Sequence, residues 1–196
     1  MKEADMNQGE SDPTQDLPSE ADFIIREAME WEFKELGQLM VAVYSSLEGF
    51  PSPEQQPTYY QMLTNIGQIT GKPGTKLLVA VAGNKLVGGV VFFSDMAHYG
   101  SGGTATQERG ASGFRLLAVA PEARGLGVGK ALALECIGLA KTQGHGQVII
   151  HTTSAMKLAW GMYERMGFKR SPDLDFTQGE MQVFGFRFVP GEPGQG

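Results

Sequence analysis

Three glycines alternate with apolar residues in Arg124-Gly125-Leu126-Gly127-Val128-Gly129-Lys130, directly ahead of a segment patterned as a helix. Main chain without Cβ atoms can approach a ligand closely. The N–H groups of a helix's first turn have no intrahelical acceptors and sit at the positive end of its dipole. That combination points to capture of an anion, and a phosphate or pyrophosphate suits it. Arg124 and Lys130 add positive charge at the same end. Two common phosphate-binding patterns fail on spacing. A P-loop, G-x-x-x-x-G-K-[ST], would have its first glycine at Arg124 and its metal-binding hydroxyl at Ala131. A dinucleotide fingerprint, G-x-G-x-x-G, started at Gly125 would need its last glycine at Lys130. A third pattern, [QR]-x-x-G-x-[GA], is met from Arg124 to Gly129.

The elements around this turn can be read from periodicity. The buried run from Phe114 to Val119 leads into it as a strand. Val128 to Thr142 follows as a helix with Val128, Leu132, Cys136, Leu139 and Ala140 on one stripe. Further upstream, Asp22 to Arg26 reads as a strand, Trp31 to Tyr44 and Tyr59 to Ile69 as helices, and Leu77 to Val81 and Leu86 to Phe93 as strands about a Gly83-Asn84-Lys85 turn. Residues 94–112 are rich in Gly, Ser and Thr and read as a long connection. Downstream, Val148 to Thr152 is a strand, Ala155 to Met166 a helix stopped by Gly167, and Met181 to Val189 a last strand. Alternating strands and helices argue for an α/β (α+β) domain: one mixed sheet of about six to seven strands flanked by helices.

Composition sets the outer bounds. The chain has 196 residues, with 41% hydrophobic and 19% charged residues, as in an ordinary globular protein of one domain. Residues 1–20 carry six acids and one base and read as a disordered acidic tail; 21–189 form the domain, and 190–196 a loose C-terminal tail. The net charge of -6 is unevenly spread, because residues 113–196 hold nine bases against seven acids. An anionic ligand is therefore better accommodated in the C-terminal part. No apolar run approaches membrane-helix length and no basic-aromatic cluster suggests nucleic acid. One cysteine, Cys136, excludes an intramolecular disulfide, and the N-terminus lacks a signal-peptide core, so the cytoplasm is the expected compartment.

The segment from Leu116 to Leu132 resembles the acetyl-coenzyme A motif of the GNAT superfamily of N-acetyltransferases. Three more blocks resemble that family in its order: Ile25-Arg26-Glu27-Ala28, the hairpin from Leu78 to Gly88, and Ala159-Trp160-Gly161-Met162-Tyr163-Glu164-Arg165-Met166-Gly167-Phe168. Together they span about residues 23–189. The resemblance implies acetyl-coenzyme A as donor, its pyrophosphate on the amides of residues 124–130 and its pantetheine arm along Leu117, Ala118 and Val119. It implies an oxyanion N–H donor on that strand and Tyr163 beside the departing sulfur, and it is compatible with a homodimer. One position departs from the family: where many relatives carry asparagine, seven residues before the tyrosine, this chain has Met156, with Ser154 as a substitute contact.

The chemistry then calls for a base. A lysine-like amine of pKa near 10.4 costs roughly 4–5 kcal/mol to deprotonate at neutral pH. Glu48, Asp95, His98, Glu108 and His151 are candidates to take the proton, and the sequence does not choose among them. His151 also reads as a satisfied core histidine, and Cys136, on the packed stripe of its helix, as core rather than nucleophile, so transfer would be direct. The acceptor, expected to be a small amine, is placed against residues 44–60 and 94–110, where Phe50, Tyr59, Tyr60, His98 and Tyr99 lie. A non-catalytic acyl-coenzyme A sensor and an enzyme using a longer acyl donor are the alternatives.

Overall fold

A computed structural model describes residues 22–191; the proposed acidic tail, and all but the first two residues of the C-terminal tail, lie outside them. The strands are β1 (Phe23–Glu27), β2 (Thr75–Ala82), β3 (Lys85–Phe93), β4 (Ala111–Val119), β5 (Gln147–Thr152), β6 (Lys169–Arg170), β7 (Phe176–Gln178) and β8 (Met181–Phe188). They are ordered β1-β2-β3-β4-β5-β8-β6, with β7 beside β8. Every pairing is antiparallel except β4 with β5. Eight strands replace the six to seven expected. The additional ones, β6 and β7, are two and three residues long. They are fixed by tertiary contacts: the Asp175 carboxylate holds Arg170 at 2.7 Å and the Gly185 N–H at 2.8 Å.

The sheet is covered on both faces, so its central strands are apolar at nearly every position rather than alternately. On β2, Leu77, Val79 and Val81 pack beneath α1 (Phe33–Ser45) and α2 (Pro57–Thr64), while Leu78 and Ala80 pack beneath α3 (Val128–Thr142) and α4 (Lys157–Arg165). Adjacent glycines on β3 serve the two faces in turn. A Cβ on Gly88 would lie 2.9 Å from Val128 Cγ1, and one on Gly89 2.5 Å from Leu36 Cδ1. Their absence lets α3 and α1 sit close against the sheet, which sets the height of the glycine-rich turn above β4.

α3 has the bounds read from the sequence. α1 starts two residues later than Trp31, because Glu30–Glu32 form a 3-10 turn. The Glu32 carboxylate, 2% exposed, is held there by both Arg26 terminal nitrogens at 2.7 Å and by the Met29 N–H at 2.8 Å. The helix expected from Tyr59 to Ile69 divides into α2 and a 3-10 segment, Ile66–Gly71. Residues 94–112 are not a free loop. Met96, Tyr99 and Ala105 are buried, and β4 begins at Ala111. The Tyr99 ring occupies the space a Cβ on Gly113 would need, 2.6 Å away.

Candidate active site

The parallel pairing of β4 with β5 covers Ala111 to Gly113 opposite Gln147 to Ile149 and goes no further. Beyond it the two strands part, leaving the β5-facing edge of β4 without a strand partner. The same stretch of β4 carries a bulge. Val91 pairs with Arg115 and Gly89 with Ala118, so Leu116 and Leu117 share the single position opposite Val90. Leu116 has φ 59, the one positive φ outside glycine among the described residues. Such strain costs about 1–3 kcal/mol and persists only where surrounding structure imposes it. The extra residue also shifts the side-chain alternation. Arg115 and Leu116 face the α1–α2 side in succession, while Leu117 and Val119 face α3 and α4.

On the α3–α4 side lies a cleft of about 680 Å³. Of the residues that the sequence offered for the cofactor, Leu117, Val119, Arg124, Gly125, Gly127, Val128, Gly129 and Lys130 line it. Ala118 faces the other side of the sheet, Leu126 packs into the core, and the exposed Ser154 stands outside the lining, where Ala155 and Met156 take its place. The first intrahelical hydrogen bond of α3 runs from the Ala131 N–H to the Gly127 carbonyl at 2.9 Å. Among the described residues the N–H groups of Gly125, Gly127, Val128, Gly129 and Lys130 find no acceptor, and no side chain caps the helix. Gly125 and Gly127 need their glycines for φ 81 and 82. Gly129 does not: a Cβ there would meet Met162 Sδ and Val119 Cγ2 at an ordinary 3.5 Å. The fold alone would accept alanine at 129, so the open space over these amides is the feature left to explain.

Other contributors were hidden from sequence reasoning. Lys157 and Arg165 of α4 join Arg124 and Lys130 around the cleft, against Glu48 as the one carboxylate among its described lining residues. Tyr44, the last residue of the helix expected from Trp31 and the first of the expected acceptor region, donates its hydroxyl to the Leu117 carbonyl at 3.2 Å, bracing the bulge. The Thr152 and Thr153 hydroxyls, where β5 leaves β4, are buried without partners. Neither threonine is among the residues lining the cleft, and Thr75 has a hydroxyl buried in the same way, a state that is costly for a polar group.

Tyr163 does not line the cleft wall. It is 5% exposed, its ring packed edge-on against Phe114 and Phe168. Burial pushes its phenol well above 10, with smaller contributions from Tyr99 and Cys136. Its hydroxyl has no protein partner and is absent from the fully sealed unpartnered atoms. Cys136 is fully buried and its thiol is pushed well up by that burial, an inert core position.

The base candidates separate. Asp95 accepts from the Ala97 N–H at 2.9 Å and caps a 3-10 turn. Glu108 holds Arg187 at 2.6 Å and Gln147 at 2.9 Å. His98 is half-buried outside both clefts. His151 Nε2 lies 3.0 Å from the Leu174 carbonyl, which can only accept, so Nε2 carries the proton. Nδ1 then accepts from the Tyr99 hydroxyl at 3.1 Å. Tyr99 itself is 0% exposed, a core residue rather than an open acceptor contact.

Desolvation lowers the His151 pKa from 6.5 to about 4. The unfolded chain therefore binds this proton first on acidification. The stability contributed by neutral His151 is complete above pH 6.5 and is lost between there and pH 4, up to about 3 kcal/mol. Thermal melts from pH 8 to 4.5 should decline below pH 6.5, and His151→Gln should flatten that decline. An unchanged slope in the variant would assign it elsewhere.

A second, larger cleft of about 1130 Å³ opens on the α1–α2 side, lined by α2, the 99–102 turn, the bulge and β7. Among the described residues, no group of three metal-ligating side chains gathers and no helix is long and apolar enough to cross a membrane.

The sequence pattern of the Acetyltransferase (GNAT) family matches residues 27–168. Human N-acetyltransferase 8B is 36% identical over 55 residues, which are 28% of this chain and 24% of that protein, so the chain matches only about a quarter of this relative's length. Among solved structures, the PaiA N-acetyltransferase of Thermoplasma acidophilum, in complex with coenzyme A, aligns with a TM-score of 0.65 at 16% identity, over 85% of this chain and 99% of that one. YncA of Salmonella typhimurium, described as a putative acetyltransferase with its cofactor acetyl-CoA, gives 0.61 at 12%, over 88% and 96%. At these identities the structures establish the shared fold.

Proposed function

We propose, on the premise that the chain belongs to the GNAT acetyltransferase family, that it moves an acetyl group from acetyl-coenzyme A to the amine of a small acceptor. One observation carries this reading: a row of acceptor-less amides beside an unpaired, bulged strand edge. The residues fit the donor. The acceptor-less amides of the 125–130 turn suit a diphosphate, with Arg124 and Lys130 adjacent. Acetyl-coenzyme A supplies the acyl carbon and the thiol that leaves: the amine's N–C bond forms, the C–S bond breaks, and one proton departs from nitrogen.

The chain's own groups divide the remaining work. Beyond Gly113 the edge of β4 that faces β5 has no strand partner, so an N–H on that edge is available to stabilise charge on the acyl oxygen. The Tyr44 hydroxyl fixes the Leu117 peptide from the other side. Tyr163, packed behind the cleft wall with its phenol kept neutral by burial, is the O–H donor we assign to the departing sulfur. Glu48 takes the amine proton through water, being the one carboxylate among the described lining residues of either cleft. With Cys136 sealed in the core, acyl transfer is direct.

Calorimetry with coenzyme A, followed by thiol release from acetyl-coenzyme A across an amine panel, tests the proposal. Binding with turnover is expected; absence of any binding heat would end it. Longer acyl donors in the same assay decide the acyl length. Glu48→Gln should lower kcat by on the order of 100-fold while leaving coenzyme A affinity within about twofold. An unaltered kcat would remove Glu48 from the reaction.

A further inference from the structure

Four arginines of the described chain are half-buried: Arg26, Arg115, Arg170 and Arg187. Three of them hold a carboxylate at 2.6–2.7 Å, namely Glu32, Asp175 and Glu108. Arg115 holds none. Its Nη1 donates to the carbonyls of Tyr99 at 2.8 Å and Gly100 at 2.7 Å, and its guanidinium lies 5.4 Å from the Tyr99 ring centroid. Those contacts are neutral and anchor one corner of the guanidinium. Nε and Nη2 make no hydrogen bond, and neither is among the sealed unpartnered atoms, so both remain accessible. They form the side of the group that presents two parallel N–H donors, the geometry that grips a carboxylate through both oxygens.

This open edge belongs to the wall of the larger cleft, next to the bulge at Leu116. Lys72 lines the same cleft. A Cβ built on Gly100 would stand 3.4 Å from Arg115 Nη1 and 3.9 Å from Lys72 Nζ, so the two cations share one stretch of wall. Among the described residues no aspartate or glutamate lines this cleft; its other polar side chains are mainly amides, and Gln178 reaches across to Gln56 at 3.2 Å. A partly desolvated cation without a counter-ion is costly. Here the missing anion would have to come from outside the chain.

We infer that the acceptor is an aminocarboxylate, a small amine of the amino-acid type, whose carboxylate is received by Arg115 and Lys72 while its amine faces the bulged edge of β4. This rests on the acetyl-transfer reading above and narrows it from amines in general to those carrying a carboxylate. Tyr59, Met62 and Phe176 supply the apolar surface against which such an acceptor's side chain would lie.

The test compares free amino acids with their carboxamides, their decarboxylated amines and phosphoethanolamine, measuring thiol release at saturating acetyl-coenzyme A. At least one amino acid should exceed its own carboxamide in kcat/KM by on the order of 100-fold, because a site built for a charged partner strongly rejects the analogue lacking it. Arg115→Gln should bring that ratio near one by raising the amino acid's KM. Arg115 also ties down the 99–100 turn, so a second variant leaves it in place. Gly100→Asp sets a carboxylate beside both cations, at a position of φ 70 that aspartate and asparagine tolerate better than most residues. It should raise the amino acid's KM at least tenfold, and Gly100→Asn should not. Carboxamides, decarboxylated amines or phosphoethanolamine used as well as any amino acid would overturn the assignment. So would a failure of every amino acid to react or bind while coenzyme A still binds. Loss of coenzyme A binding itself would instead strike the acetyl-transfer reading.

Discussion

Gly129→Glu is expected to raise the melting temperature slightly and to weaken coenzyme A binding by at least about 100-fold. The opposite signs separate folding from function. Position 129 lies in the first turn of α3 with no positive φ, and a Cβ there makes only van der Waals contacts at 3.5–3.6 Å with Met162, Val119 and Leu117. Replacing a helical glycine recovers about 0.5–1 kcal/mol of backbone entropy, and an acid in the first turn gains a further 0.3–1 kcal/mol from the helix dipole. The same carboxylate competes for the amides of 125–130 and repels a bound diphosphate. Like charges about 4 Å apart near a protein surface repel by about 4 kcal/mol, more than the 2.7 kcal/mol that 100-fold requires. Gly129→Ala should keep the stability gain with a smaller affinity loss. Gly125 and Gly127 cannot give so clean an answer, since φ 81 and 82 make any side chain there strained. Calorimetry and melting curves on both variants decide the matter. Undiminished affinity in the glutamate variant would mean that the amides of α3 do not hold the diphosphate.

The contrast between Gly129 and Leu116 shows which parts of the site a sequence can disclose. The glycine-rich turn was legible because its signal is local: residues without Cβ, two cations, and the start of a regular apolar stripe. α3 accordingly spans the residues its periodicity indicates, Val128–Thr142. The bulge has no such signal. Leucine is a poor choice for φ 59, and only the pairing of flanking residues with β3 and the Tyr44 hydroxyl on the next carbonyl impose it. Tyr99 misled for a related reason. It sits in a Gly- and Ser-rich stretch that reads as an open connection, but its ring fills the space left by Gly113, a partner fourteen residues away. Arg115 reads as one polar residue in an apolar strand. Its meaning comes from the absence of a counter-ion, and pairings such as Arg187 with Glu108 become visible only when the chain is folded. β6 and β7 are shorter than any periodicity can register.

Tyr163→Phe should leave the melting temperature within about 2 °C of the parent while lowering kcat at least tenfold, with the KM for acetyl-coenzyme A unchanged. Truncating a hydroxyl that bonds to a protein group costs the folded state that bond, about 1 kcal/mol or more. The Tyr163 hydroxyl has no such bond, so its removal is nearly free to the fold. On the proposed reading its contribution to turnover would be made with the donor's sulfur. Burial holds the phenol far above 10, well beyond a thiol near 8.5, so proton transfer to the departing thiolate would run uphill. On the proposed reading the group would act instead as a permanent neutral donor to the charge on sulfur as the C–S bond lengthens, an interaction stronger in the transition state than in the ground state. It follows that the pH–rate profile should show no phenol limb below pH 10, in the parent or the variant. A titration of kcat in that range that vanished with Tyr163→Phe would make the tyrosine an acid after all. A drop of several degrees in melting temperature with kcat intact would return it to the core as a packing residue.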